Sequence, residues 1–384
     1  MCRPTHGRTT AEASQNARLC IRAGEFLSYG MAELSQYPLQ IERLNNGKPI
    51  VAKLVSGPWQ NKVTFNPACA LVSDRAELDR IIPTLPFNAL TKDALRRQSA
   101  LCFLLYRAQG NQTVRYDYRR SCLGLAVLSP ELTLLARHSE PVILPDKEYD
   151  NLGVEDARIT KVDGGYIMFY TAYATGEPEN KIRIAIASTV DFVHWEKHGL
   201  LKGDFNTIQN KNAMLFEQKL DGKYAMLHRP MEGNDALAIH WATADDVFGE
   251  WASRGTLMKP IANSAFIDTW IGGGAPPLHL NDKRYLILYH IGNRKEDTTR
   301  EYDLGIAVAD FASEQIIVRR DEPLMRPESP AETTGDTELG VNNVLFICGS
   351  YFYEDDLYFP YAGADSVVLG GKITKEELKR YLGS

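Results

Sequence analysis

The run Asp163-Gly164-Gly165-Tyr166-Ile167-Met168-Phe169-Tyr170-Thr171 reads as a tight turn feeding a strand, and it does not stand alone. A second apolar run, Ile182 to Ser188, follows it, then Asp191-Phe192-Val193-His194-Trp195 and Gly199. The same plan returns as the turn Asp221-Gly222-Lys223, the run Tyr224-Ala225-Met226-Leu227-His228, the stretch Ala236 to Ala242, and then Asp246, Trp251 and Gly255. Trp195 and Trp251 are 56 residues apart, and a glycine lies four residues after each. Outward from this pair, a further echo starts near Gly272, with the turn Asn281-Asp282-Lys283 and the run Tyr285 to Tyr289. Its next strand, Leu304-Gly305-Ile306-Ala307-Val308, matches Leu123-Gly124-Leu125-Ala126-Val127, and the two lead to Glu322-Pro323 and Glu140-Pro141. A unit therefore covers Val63 to Ile143, enlarged by an insertion near Asp74 to Ser99. A last unit holds Asn343 to Cys348, the turn Glu354-Asp355-Asp356 and Leu357 to Ala362.

Each of these five units reads as about four short strands, rich in Val, Ile, Tyr and Phe and bounded by Asp, Asn and Gly turns. Strand–turn–strand spacing without intervening helices excludes a parallel α/β sheet. A four-stranded unit cannot bury both of its faces alone, and radial packing around an axis solves this while shielding the edges. The expected fold is all-β, a five-bladed β-propeller; a pair of β-sandwiches fits the Trp and Gly echoes less well. The propeller is expected over residues 37–372, after a polar arm of residues 1–36. Residues 373–384 read as a short C-terminal helix, opened by the capping box Thr374-x-x-Glu377 ahead of Leu378 and Leu382.

With 384 residues, a net charge of −6, 44% hydrophobic and 24% charged residues, the chain has ordinary globular usage, which excludes disordered and collagen-like classes. Mild acidity argues against a nucleic-acid partner, since phosphate backbones call for a basic face. No apolar run approaches the ~20 residues of a membrane helix, and the polar start lacks the apolar core of a secretory signal. Cys2, Cys20, Cys69, Cys102, Cys122 and Cys348 form no CxxC pair, so neither a disulfide scaffold nor a zinc module is expected. A cytoplasmic location is the simplest expectation. His194 and His198 flank Trp195 outside any HExxH pattern and read as surface residues. No metal site is expected.

In a propeller the first strand of each blade lines the axis, so polar residues near the start of each unit are the candidate site. These are Asn66, Glu155-Asp156 with Arg158, Lys211-Asn212, Asp268 with Gly272-Gly273-Gly274, and Asn342-Asn343. Second strands add Arg107, Tyr170, Tyr173, His228-Arg229 and His290, and Asp365 follows the last unit. For any one of them an internal ion pair between blades is the plainer reading; their recurrence at equivalent positions points to a shared pocket. The glycine run is no P-loop, because no Lys-Ser/Thr and no helix follow it. It fits a close approach of backbone to the axis.

Around Asn151-x-Gly153-Val154-Glu155-Asp156-Ala157-Arg158-Ile159 the sequence resembles glycoside hydrolase family 130, the β-mannoside phosphorylases and related mannosidases on five-bladed propellers. The resemblance runs from Phe65 to Asp365 through Phe65-Asn66-Pro67, Leu105-Tyr106-Arg107-Ala108, Tyr170-Thr171-Ala172-Tyr173, Lys211-Asn212 and Leu227-His228-Arg229-Pro230. It continues through Ile271-Gly272-Gly273-Gly274-Ala275-Pro276-Pro277, Tyr289-His290, Asn343-Val344 with Cys348-Gly349, and Ala362-Gly363-Ala364-Asp365. It implies Asp156 as the general acid and Arg107, Lys211, His228 and Tyr302 as the phosphate site. It implies sugar contacts from Asn66 and Asp365, with Glu155, Asn212 and Arg229 beside them and Arg158 and Arg229 orienting these groups. Departures lie at Ala157, at the long stretch Gly292 to Arg300, at Asp303 and at Ala331-Glu332, on what the resemblance makes the acceptor side.

The residue types carry their own argument. Inverting cleavage of a glycoside needs an acid on the leaving oxygen and a nucleophile on the opposite face. A hydrolase needs a second carboxylate to activate water, whereas phosphate is already an anion and needs cations to hold it. Asp156 with Arg107, Lys211 and His228 favours phosphorolysis, with phosphate as co-substrate and no organic cofactor; the resemblance implies a non-reducing β-mannosyl unit as the group transferred, giving α-mannose 1-phosphate reversibly. Asp156 would be protonated at rest, its pKa raised by Glu155 and by burial. The rivals are an inverting mannosidase using Glu250, Glu296 or Glu301 as base, and a propeller that binds glycans without turnover. Linkage and acceptor would depend on loops such as Asp74 to Ser99 and Gly292 to Arg300, and the polar arm is a candidate for homo-oligomer contacts.

Overall fold

The computed structural model describes residues 39–111 and 120–382; the arm expected over residues 1–36 lies outside them. Five antiparallel sheets follow one another in chain order. The first blade is built from Val63–Val72, Leu101–Gln109, Cys122–Leu128 and Leu134–Arg137, and the second from Gly153–Val162, Gly165–Ala174, Lys181–Thr189 and Glu196–Leu200. The third holds Asn210–Leu215, Tyr224–Pro230, Ile239–Ala244 and Ala252–Met258, and the fourth runs from Asp268–Gly273 to Gln315–Arg319. The fifth is ordered Leu345–Ile347, Asp356–Gly363, Val367–Ile373 and, outermost, Glu42–Arg43.

The strand Glu42–Arg43 closes the ring, pairing Glu42 with Lys372 and Arg43 with Gly371. Its arginine reaches farther in: Arg43 Nε donates to Glu332 Oε1 at 2.9 Å, and the same carboxylate accepts from Tyr361 Oη at 2.7 Å and from the backbone N–H groups of Glu328 and Ser329. Glu332, expected on the acceptor side, is thus a buried fastener of the fifth blade. A buried carboxylate is tolerated because each lone pair has a donor.

The apolar residues fall into five clusters, one per junction between neighbouring blades. Phe103, Leu125, Met168 and Tyr170 join blades one and two, and Phe169, Ile186, Met226 and Trp251 join two and three. Leu227, Trp241, Ile287 and Tyr289 join three and four, and Leu288, Ile306, Phe359 and Leu369 join four and five. Leu104, Tyr106, Tyr358 and Val368 close five onto one. Each buried aliphatic or aromatic side chain contributes ~1.5–3 kcal/mol, so both faces of every sheet are paid for by a neighbour.

The tryptophan–glycine echo has a local cause. Trp195 and Trp251 donate their indole N–H groups to Phe192 O and Val247 O, closing the turn before the outer strand. Gly199 and Gly255, at φ 96° and 93°, sit where pairing with the third strand slips by one residue. A side chain at that φ is strained. The insertion after Val72 is helical, a point the strand pattern did not show: α1 (Arg75–Ile81), capped by Asp74, and α2 (Ala89–Arg96), capped by Asn88. It packs beneath blades one and two, where Glu77 accepts from Tyr166 Oη and Lys161. Two further helices are α3 (Pro330–Thr333) and α4 (Lys375–Leu382), the latter burying Leu378 and Leu382 as the capping box implied. Cys69, Cys102, Cys122 and Cys348 are buried free thiols.

Candidate active site

The inner strands of the first three blades share one irregularity. Pairing with the second strand shifts between Phe65 and Ala68, between Glu155 and Arg158, and between Lys211 and Met214. In each bulge one residue takes a left-handed backbone: Asn66 (φ 44°), Asp156 (φ 50°) and Asn212 (φ 57°). Asn and Asp accept this conformation more readily than other side chains, and a bulge re-aims the side chain that it carries. Each thereby reaches a side chain of a neighbouring blade. Asn66 Nδ2 donates to Asp156 Oδ1 at 2.7 Å, and Asn212 contacts both Arg158 (3.5 Å) and His290 (3.3 Å).

Asp156 is the hub. Arg107 Nη1 donates to Asp156 Oδ1 at 3.1 Å, and its Nη2 to Glu155 Oε1 at 2.5 Å. Arg107 Nε donates to Ser121 Oγ, which in turn donates to Glu155, each at 2.9 Å. Arg158 lies fully within the protein, donating to the carbonyls of Asp156 (2.6 Å), Gly273 (3.0 Å) and Gly274 (3.0 Å). The glycine run thus brings backbone to the axis, as expected. A Cβ on Gly272 would stand 2.4 Å from Asn212 Nδ2 and from His290 Nε2, and one on Gly273 would stand 2.3 Å from Met214 Cε.

On the other side of Asp156, the register sets Lys211 beside Arg229 and His290 beside Gly272. Lys211 has no hydrogen-bond or ion-pair partner among the described residues. Burial, then Arg229 beside it, push its pKa down to about 8 against the pull of Asp156 and Glu155. Arg229 Nε and His290 Nδ1 are buried without partners. Burial, with Arg229, Arg158 and Lys211 around it, holds His290 neutral, well below the usual histidine range. Both neighbours of its Nε2, Asn212 Nδ2 and Arg229 Nη1, are donors, so Nε2 accepts and Nδ1 carries the proton. Tyr302 packs edge-on against Trp270 at 5.5 Å and tilts toward His290 at 5.9 Å.

His228 is not brought into this cluster. Adjacent strand residues face opposite sides of a sheet, so where Arg229 faces His290, His228 faces Phe205 and His240 and contacts Asn210. Burial and His240 push it down to about 3. His290, a candidate with no role assigned from sequence, holds the inward position instead; the signal that separates them is strand register, which the sequence does not print. Asp365 lies close enough to feel Arg107, Lys211, Asp156 and Glu155. Burial above all raises its pKa to about 7, and no described residue hydrogen-bonds to it.

The protonation expected of Asp156 is corrected by this geometry. Burial does act to raise its pKa, but Arg107, Arg158, Lys211 and the Asn66 hydrogen bond outweigh it and hold the carboxyl below the usual range. Burial raises Glu155 instead. Of the candidate bases of a hydrolase, Glu250 and Glu296 are exposed and Glu301 is paired with Lys295 at 2.7 Å. The insertion Asp74 to Ser99 lies at the opposite mouth of the propeller, beside a cavity of about 670 Å³ lined by Lys161, Glu217 and Pro277 among others, and takes no part in the site. The hairpin after Arg294 rises on the same mouth as Asp156.

A sequence model described as β-1,4-mannooligosaccharide phosphorylase matches residues 89–382. The chain belongs to glycoside hydrolase family 130. It is 29% identical over 336 residues to a 1,2-β-oligomannan phosphorylase of Thermoanaerobacter sp., covering 86% of this chain and 96% of that one. Among solved structures, it matches one from work on family members that are glycoside hydrolases targeting β-1,2-mannosidic linkages in Candida mannan, with a TM-score of 0.69 at 24% identity over 89% and 96% of the two chains. It also matches a β-1,2-mannobiose phosphorylase from Listeria innocua in complex with β-1,2-mannobiose, with a TM-score of 0.66 at 20% identity over 89% and 99%. These folds agree with the five-bladed propeller, and the family agrees with an enzyme of the phosphorylase type. Among the described residues no helix is long and apolar enough to cross a membrane.

Proposed function

We propose that this family 130 enzyme is an inverting β-mannoside phosphorylase. The observation that carries the reading is the charge balance at the axis. Arg107 is matched by Glu155 and Asp156, but among the described residues Lys211 and Arg229 have no carboxylate partner within ion-pair distance. Two uncompensated cations with a neutral His290 and the Tyr302 hydroxyl form a receptor for a dianion, and water needs no such receptor. Phosphate is assigned to Lys211, Arg229, His290 and Tyr302. Arg107, whose fork is already filled, positions Asp156 and Glu155.

Among the described residues, Asn66 Oδ1 is buried without a donor and Asp365 is without a hydrogen-bond partner, which suits both to the hydroxyls of the transferred mannosyl ring. Phosphate oxygen forms a bond to the anomeric carbon as the bond to the glycosidic oxygen breaks, and Asp156 delivers a proton to that oxygen. The carboxyl is ionised in the empty pocket. A bound dianion offsets Lys211 and Arg229, so Asp156 takes up its proton from solvent as substrate and phosphate enter. Relatives acting on β-1,2 linkages cover most of their own length in the match, and β-1,2-mannobiose is the linkage proposed first. The test is product analysis with β-1,2- and β-1,4-mannobiose, with and without phosphate. Phosphate-dependent α-mannose 1-phosphate is expected; free mannose released equally without phosphate refutes the reading.

A further inference from the structure

We propose that Trp270 is a positioning residue for the anion site: reaching across Gly292, it holds the Tyr302 hydroxyl toward the phosphate placed beside Lys211 and Arg229. This rests on the phosphorylase reading above. The three residues belong to neighbouring strands of the fourth blade, Asp268–Gly273, Arg284–Arg294 and Arg300–Asp310. They lie in one row, Trp270 paired with Gly292 and Gly292 with Tyr302. Directly paired residues point to the same face of a sheet. The two flanking backbones of such a row stand ~10 Å apart, yet the rings of Trp270 and Tyr302 come to 5.5 Å, edge-on at 77°. Glycine between them makes this possible. A Cβ on Gly292 would stand 2.1 Å from Trp270 Cε2 and 2.3 Å from its Nε1, so any side chain there would push the indole off the tyrosine.

The contact ends at the site. Of the ionisable side chains around Arg229, Tyr302 acts on it most strongly, which sets the hydroxyl beside that guanidinium. Burial raises the Tyr302 pKa, and Arg229, Arg300 and the Trp270 indole N–H oppose it. An indole nitrogen only donates, so toward Trp270 the phenol oxygen accepts, and its own proton is left for an anion. The other rings near Tyr302 are more distant, His290 at 5.9 Å and Phe346 at 6.5 Å. Trp270 is only 7% exposed, with the Gly292 backbone against it and the Arg300 guanidinium 6.0 Å from its ring. Covered in this way, it offers no open face to a sugar. Aromatic side chains also cover glycines at Tyr289–Gly305 and Phe359–Gly371, but those rings belong to the apolar clusters between blades. Trp270 belongs to none of the five clusters, and among the described residues its one ring neighbour is Tyr302.

Phosphate and mannoside saturation curves test this. Tyr302→Phe is expected to raise the KM for phosphate about tenfold or more, since a hydrogen bond to a charged group is worth roughly that factor. Trp270→Leu is expected to reproduce that rise and to leave the KM for the mannoside unchanged. Gly292→Ala, which displaces the indole without removing it, is expected to do the same. Trp270→Phe keeps a flat ring over the glycine and is expected to recover most of the loss. The double variant Trp270→Leu/Tyr302→Phe is expected to be no weaker than Tyr302→Phe alone, because Trp270 acts through that hydroxyl. An unchanged phosphate KM in Trp270→Leu, equal rises for both substrates, or losses that multiply in the double variant overturn the proposal and leave the phosphorylase reading standing. Calorimetric titration with inorganic phosphate reads the anion site without the chemistry. Binding weakened alike by Trp270→Leu and Tyr302→Phe, in an enzyme that releases mannose without phosphate, sustains the positioning role and refutes the function; no phosphate binding in the native enzyme refutes both.

Discussion

Lys211 offers a pH signature that a structural lysine would not give. Burial and the neighbouring Arg229 lower its pKa to about 8, so the ammonium is about half neutral at pH 8 and about nine-tenths neutral at pH 9. A hydrogen bond from a charged donor to phosphate contributes ~1.5–3 kcal/mol, which is a factor of about 10–100 in affinity. In the free enzyme this titration governs kcat/KM for phosphate. Asp156, ionised in the free enzyme, must also gain a proton before reaction, so the quantity read is the ratio of native to Lys211→Arg values, which is expected to fall about tenfold per pH unit above about 8 and to level off 10–100-fold down. At saturating phosphate, kcat is expected to hold to higher pH, because the bound anion restores the charge on Lys211. Lys211→Arg keeps its charge throughout and is expected to show only the slope that Asp156 imposes, and Lys211→Met is expected to sit at the lower level of that ratio at every pH. A ratio that stays flat through this range refutes the placement of phosphate beside Lys211.

Three further outcomes follow from particular contacts. His290→Ala is expected to raise the KM for phosphate at least tenfold, whereas His228→Ala, on the face of the third blade opposite Arg229, is expected to leave it within about twofold; phosphate saturation curves distinguish the two. Gly272→Ala drives a methyl against Asn212 and His290 at 2.4 Å, with ~1–3 kcal/mol of overpacking, and is expected to weaken phosphate binding in the same assay. Glu332→Gln is expected to destabilise the fifth blade in denaturant titration, at the low end of the ~3–5 kcal/mol for a broken buried pair because Arg43 is partly solvated. The Glu332 pKa is depressed in the folded state, burial being outweighed by Arg43 and the backbone donors. The native advantage is therefore full above the ordinary carboxylate range and lost as pH falls through the folded value, and the native and variant stabilities are expected to converge in acid.

The repeat was legible because its markers have backbone causes. Gly199 and Gly255 mark outer-strand bulges that need positive φ, and the tryptophans close the turns ahead of them. The outer strand of the fifth blade was not legible. Glu42–Arg43 is two residues long and shows no alternation, and what makes it a strand is an edge more than three hundred residues away. The helices after Val72 hid for a similar reason: their stop signals, Pro83 and Pro86, also punctuate strands and loops.

At the site, residue types were legible and their pairings were not. Asn66, Asp156 and Asn212 can be read as equivalent positions, because Asn and Asp are the residues that tolerate a bulge with left-handed φ. Which of His228 and His290 faces the axis depends on register alone, since one residue of slip turns every side chain to the other face. The protonation of Asp156 depends on sums that no motif encodes. Glu155 beside it in sequence suggests a raised pKa, but the bulge at Asp156 sets that carboxyl between Arg107 and Asn66. The cations therefore win at Asp156 while burial wins at Glu155 and Asp365. The acid is thus held ionised by Arg107, Arg158 and Lys211, and on the proposed reading it gains its proton as phosphate offsets Lys211. On this account, phosphate is nucleophile and switch at once: without it the glycosidic oxygen meets a carboxylate with no proton to give, and hydrolysis by stray water is suppressed at the same stroke.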